Sequence, residues 1–168
     1  MNHFQRLWWQ QASSDYQVLL LLRKQASPAC HQLHYLQMVT EKLSKAYFWR
    51  SGKSPGLTHA IFRAFLKALN DRSSRDRENI AKLLGFAGAS GYRAWLRQVG
   101  GLVLEVEQLA PALSQDGPNP EYPWPLMAPR EAPANHDFTV WRDLVGSRSG
   151  RQLLTVIDRA LIRFPEYA

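Results

Sequence analysis

Apolar side chains recur every three or four positions along most of the chain, and the strict alternation expected of a strand is hard to find. The first stripe predicts a helix over about 4–25, with Leu7, Trp8, Tyr16, Leu19, Leu20 and Arg23 marking successive turns. Ser27 and Pro28 then supply an N-cap and first-turn pair for a second helix. Its stripe of Leu33, Leu36, Val39, Leu43 and Ala46 leaves Gln37, Glu41, Lys42 and Lys45 off the buried face. This helix should end near Ser51 and Gly52. Residues 52–56 mix glycine and proline and read as a loop, after which Thr58 can cap a third helix burying Ile61, Phe65, Ala68 and Leu69.

Asn70 to Ser74 breaks the pattern, and a short helix with Ile80, Leu83 and Leu84 follows. From Tyr92 a long amphipathic helix carries Trp95, Leu96, Val99, Leu102, Val103, Val106 and Leu109. Gly100 and Gly101 lie inside it at a cost of about 1 kcal/mol each relative to alanine, which predicts a kink or a close helix contact there. Residues 114–135 hold six of the ten prolines, so a long surface loop pinned by Tyr122 and Trp124 is expected. Helical spacing resumes over about 137–145 and 150–164, with Leu153, Leu154, Ile157, Leu161 and Phe164 in phase. The prediction is a single all-α domain spanning residues 1–168, a bundle of about five helices with one Pro-rich loop before the C-terminal helices.

At 168 residues with 45% hydrophobic content the chain can bury a substantial core. Its +7 net charge, from 21 Lys and Arg against 14 Asp and Glu, favours acidic or phosphate-rich partners. The charge is unevenly placed. Residues 50–97 carry ten Lys or Arg against three acids, whereas residues 101–139 carry Arg130 alone against six acids. Either the acidic stretch packs on the basic face and neutralises it, or that face stays open to a phosphate backbone. The single cysteine, Cys30, fits a reducing compartment, and a cytoplasmic protein is expected. The longest apolar run, Val18 to Leu22, is far short of the roughly 20 residues a spanning helix needs. No signal-peptide core follows the N-terminus either, so neither membrane insertion nor secretion is expected.

The segment from Cys30 to Leu69 carries an ordered set of residues: Gln37, the pair Glu41–Lys42, the pair Lys45–Ala46, then Gly52 in a loop and the pair Thr58–His59. In order, spacing and type this set resembles the helix pair of HEPN domains. The resemblance covers about a quarter of the chain. It implies a bundle of four or five helices, frequent homodimerisation, nucleotide or RNA binding, and a nucleotidyltransferase-type partner protein. It also implies kinship with metal-independent RNase toxins of defence and toxin–antitoxin systems, in which an Arg followed a few residues later by a His cleaves RNA from a late helix. Here no histidine follows His136, and the nearest such pair, Arg130 with His136, has Pro133 between its members.

A metal-independent ribonuclease needs a base near neutral pKa and a cation to stabilise the phosphorane. Placed one turn apart on the third helix, His59 and Arg63 would share a face and supply both. They are the first-choice catalytic cluster, with Arg130 and His136 the second. Arg50, Lys53, Arg63, Lys67, Arg93 and Arg97 are the candidate nucleic-acid contacts, and Tyr47, Phe48, Trp49, Tyr92 and Trp95 among them could stack bases or fill the core. His31 and His34 have ligand spacing but no third ligand in sequence, so no metal is expected. No P-loop or dinucleotide fingerprint occurs around glycines 85, 88 and 91, so no cofactor is expected. Two functions remain in competition: nucleic-acid or nucleotide binding with RNA cleavage as its enzymatic form, and a non-catalytic interaction module working with a partner chain or as a homodimer.

Overall fold

A computed structural model describes residues 1–51, 54–56 and 58–168, with the side chain of Ser51 left aside. The chain is all-α, with nine helices and no named strand among the described residues. Helices α1 (His3–Lys24) and α2 (Ala29–Phe48) form an antiparallel hairpin. Its open end is closed where Asn2 Nδ2 donates to Trp49 O at 2.9 Å and Phe4 stacks on Trp49 at 4.6 Å. Asn2 and Gln5 build a capping box that satisfies donors of the first turn. Short helices α3 (Phe62–Asn70) and α4 (Ser74–Leu83) lead into α5 (Ala89–Gln108), which runs unbroken through Gly100 and Gly101 and packs against α2, α3, α4, α7 and α8. The one-turn α6 (Pro111–Ser114), α7 (Thr139–Gly146), α8 (Arg148–Ile162) and the one-turn α9 (Phe164–Tyr167) complete the order.

One continuous core joins these helices, from Leu19 and Leu33 through Leu66 and Val99 to Ile157 and Phe164. Helix α8 is tied to α1 by Tyr16 Oη donating to Asp158 at 2.9 Å and by Trp9 Nε1 donating to Leu161 O at 2.9 Å. Where α7 crosses α8 the backbones nearly touch. A Cβ on Gly150 would lie 2.1 Å from Asp143 O and 2.5 Å from Leu144 Cα, so glycine alone fits that crossing.

The Pro-rich segment is a loop, as its composition predicts, and is more structured than composition alone indicates. Trp124 and Glu131 form an antiparallel bridge, residues 133–135 a 3₁₀ turn, and Asn119 Oδ1 accepts the N–H groups of Glu121 and Tyr122. Trp124 pins the loop to the core, but Tyr122, expected to share that task, is 55% exposed. Two other expectations need correction. About five helices become nine among the described residues, the one-turn α6 and α9, each opened by a proline in its first turn, being pieces the hydrophobic stripes do not mark. No close helix contact occurs at Gly100 or Gly101, since a Cβ on either would meet nothing within 4 Å.

Candidate nucleic-acid interface

Helix α3 begins at Phe62 without a side-chain cap from its own N-cap residue, Ile61. Its orphan donors need a partner and its N-terminus favours negative charge. Buried Glu107, from the last turn of α5, provides both, its Oε1 accepting the Arg63 N–H at 2.7 Å. Further along, Tyr92 Oη of α5 donates to Leu66 O at 2.8 Å. Burial, with the Tyr47 phenol nearby, pushes the Tyr92 hydroxyl far above its ordinary range, so it stays a donor. These two bonds set the spacing of α3 and α5.

Between them lies a groove of about 320 Å³ lined by Arg63, Lys67, Asn70 and Asp71 from α3 and its C-cap, and by Arg93, Leu96, Arg97, Gly100 and Val103 from α5. Each helix contributes a pair of cations four residues apart, which places the members about 6 Å apart along the axis. All four cationic side chains are exposed, and among the described residues none is in an ion pair. Asp71 is the sole acid in the lining. Four like charges around a concave surface focus a positive potential outward and attract a polyanion.

A second polar cluster sits on α2. Glu41 is 8% exposed, and its carboxylate accepts from Lys45 Nζ at 2.6 Å and Gln37 Nε2 at 2.9 Å, while His59 Nδ1 lies 2.8 Å away. Lys45 Nζ also lies 5.3 Å from the centroid of the Trp8 ring. Burial alone would raise the Glu41 carboxyl, but the hydrogen bonds of Lys45, His59 and Gln37, with the Lys45 charge, outweigh it and hold the group below its ordinary value. With Nδ1 engaged, the solvent side of the half-exposed His59 ring presents Nε2.

The other candidates fall in separate places. His59 is not on α3 but in the turn before it, because the helix starts at Phe62 and Thr58 Oγ1 accepts the Ala60 N–H instead of capping it. The expected shared face of His59 and Arg63 therefore does not form: the histidine joins Glu41 on α2, the arginine the α3–α5 groove. Arg50 stacks at 4.2 Å on the Tyr47 ring and donates to its hydroxyl, away from the groove lining. Lys53, like Gly52, lies outside the described residues. Arg130 and His136 share no hydrogen bond or ion pair among the described residues, and His136 packs edge-on against Trp124 and Phe138 at 5.0 and 4.7 Å. Tyr47, Tyr92 and Trp95 are core residues, leaving no aromatic platform on α5.

The acidic stretch does not cover the groove. Glu121 pairs with His34 at 3.2 Å, Asp137 with Arg142 at 2.9 Å, and Asp116 accepts from Leu126 N at 3.3 Å. His31 and His34 belong to no group of three metal-ligating residues among the described residues. A larger cavity of about 710 Å³, between α4 and α8, has three cations, of which Lys82 pairs with Glu78 at 3.4 Å and Arg163 with Glu166 at 2.9 Å, leaving Arg159 alone outside an ion pair among the described residues.

Asn70, Leu96, Gly100, Val103 and the clamp Glu107 are not among the site candidates from sequence, and Tyr92, a candidate for stacking, serves as a clamp instead. The helical register held a signal for two of them: Arg63, Lys67 and Asn70 follow i, i+4, i+7, and Arg93, Arg97 and Gly100 do the same. No helix of the described residues is long and apolar enough to cross a membrane. Compared with protein-family models, curated proteins and solved structures, the chain matches none.

Proposed function

We propose that the protein is a HEPN-like nucleic-acid-binding module whose contact surface is the α3–α5 groove. The observation that carries the reading is the quartet Arg63, Lys67, Arg93 and Arg97, in no ion pair among the described residues and brought from two helices to one concave surface with a single acid. Elsewhere Lys42, Lys45, Lys82, Arg142 and Arg163 have carboxylate partners, while exposed cations such as Arg75, Arg148 and Arg159, in no ion pair among the described residues, stand outside the groove, so it is the gathering of four on one concave surface that sets the quartet apart. A free thiol at buried Cys30 is consistent with work in the reducing cytoplasm, where a nucleotidyltransferase-type protein or a second copy of the chain would be its companion. The test is RNA binding across a salt series. Phosphate contacts make log K fall linearly with log salt at about 0.7–0.9 per phosphate, so a quartet predicts a slope near 3. No binding at low salt would sink the reading and favour the non-catalytic module that works through a protein partner.

Cleavage is the second reading, and the Glu41–His59 pair favours it. A carboxylate on Nδ1 fixes the ring and leaves Nε2 as the group that could take a 2′-hydroxyl proton. Incubation of mixed RNA with the protein and its His59→Ala and His136→Ala variants tests this. Loss of cleavage in the first alone assigns the base to His59, while cleavage surviving both removes the assignment.

A further inference from the structure

Glycine is among the worst residues for a helix interior, yet α5 holds two in succession. Neither is there to make room for another part of the chain, because a Cβ on Gly100 or Gly101 would meet nothing within 4 Å. Their positions differ. Gly100 lines the α3–α5 groove with Leu96 and Val103, whereas Gly101 is exposed and outside its lining. The groove thus combines four cations with an apolar floor, made of the half-buried Leu96 side chain and the bare backbone of Gly100.

A bare polyanion would need only the cations. An apolar floor gains from a flat, weakly hydrated ring laid on it, with phosphates on either side reaching the cations. A base within a duplex is stacked and paired and cannot descend below its own phosphates, whereas a base of a single strand can be splayed out. Stacking on an aromatic side chain is the usual way to hold such a base. On α5 that is excluded by the burial of Tyr92 and Trp95, so the half-buried Leu96 side chain and the backbone at Gly100 take that place. The volume, about 320 Å³, is at the small end of ligand pockets, about 300–1,000 Å³, and admits one nucleotide at this point.

We propose that the groove selects single-stranded nucleic acid, with one base on the Leu96–Gly100 floor and its flanking phosphates on Arg63, Lys67, Arg93 and Arg97. Gly100 is the residue that admits the base. This rests on the nucleic-acid reading above and adds to it a preference that charge alone would not create.

The test uses the full chain and its Gly100→Ala, Gly101→Ala and Arg93→Gln/Arg97→Gln variants. Each is titrated with a single-stranded RNA, the same RNA annealed to its complement, and heparin, a polyanion without bases. The wild type should prefer the single strand. Gly100→Ala should raise the melting temperature by about 2–4 °C, as replacement of an unconstrained helical glycine does. It should also weaken single-strand binding roughly tenfold, or one decade in Kd, while heparin binding holds. Gly101→Ala should raise the melting temperature alike and leave every affinity unchanged. The proposal is overturned if Gly100→Ala binds the single strand as wild type does, if it loses heparin in parallel, if it melts lower than wild type, or if wild type shows no strand preference. The groove reading fails separately, and this proposal with it, if the Arg93→Gln/Arg97→Gln variant keeps wild-type affinity for both RNA and heparin.

Discussion

The Glu41 cluster and the α3–α5 groove are made of similar residue types and have opposite settings. Around Glu41 the charges are matched: a lysine and a histidine meet one carboxylate within 2.8 Å, and Glu41 and Lys45 are both buried. In the groove four exposed cations share a single acid and, among the described residues, no ion pair. Pairing satisfies the buried charges of Glu41 and Lys45 within the chain, since a buried charge is tolerated only when paired. Mismatch at a concave surface leaves attraction to spare for an outside partner.

The sharpest break in this contrast is Glu41→Ala, which strands Lys45 without a counter-charge in a buried setting. A loss of about 3–5 kcal/mol of stability is expected, measurable by urea unfolding. Neutralising the quartet, with Gln in place of Arg63, Lys67, Arg93 and Arg97, should do the reverse. Stability should hold within about 0.5 kcal/mol, as for ordinary surface changes, while the salt slope of RNA binding falls by about 3.

A finer distinction comes from pH. The folded chain holds Glu41 below its ordinary carboxyl pKa, so the unfolded chain binds the proton more readily. Stability from this group is fully present above the unfolded value and is lost as the pH falls through the carboxylate range to the folded one. A Glu41→Gln variant melted across that range should show a flatter acid limb than wild type. The smallest effect is expected at His136, whose ring contacts with Trp124 and Phe138 are worth about 1 kcal/mol beyond area burial. His136→Ala should cost that much in thermal unfolding and leave RNA binding as it was.

Much of the fold was legible because α1, α2, α5 and α8 carry their own stripes and need no distant residue to declare them. The start of α3 was not. Its first-turn donor is satisfied by Glu107, 44 residues later, and local sequence offered Thr58 as a plausible but wrong cap. That shift carried His59 off the helix and dissolved the expected His59–Arg63 face. Four of the six basic candidates nevertheless line one groove, because i, i+4 spacing on two separate helices is a local property. Which helices would face each other is not. The Glu41–Lys45 and Gln37–Glu41 contacts are again i, i+4 and visible in sequence, although the burial that makes them costly to break is set by tertiary packing.

The Glu107 clamp also orders events in time. The α1–α2 hairpin closes across a turn of a few residues, which is entropically cheap and fast, whereas the bond from Glu107 to the Arg63 N–H must close a loop of 44 positions. During synthesis the first basic pair, Arg63 and Lys67, leaves the ribosome well before Arg93, Arg97 and Glu107. A groove with four cations therefore does not exist until the last turn of α5 has docked.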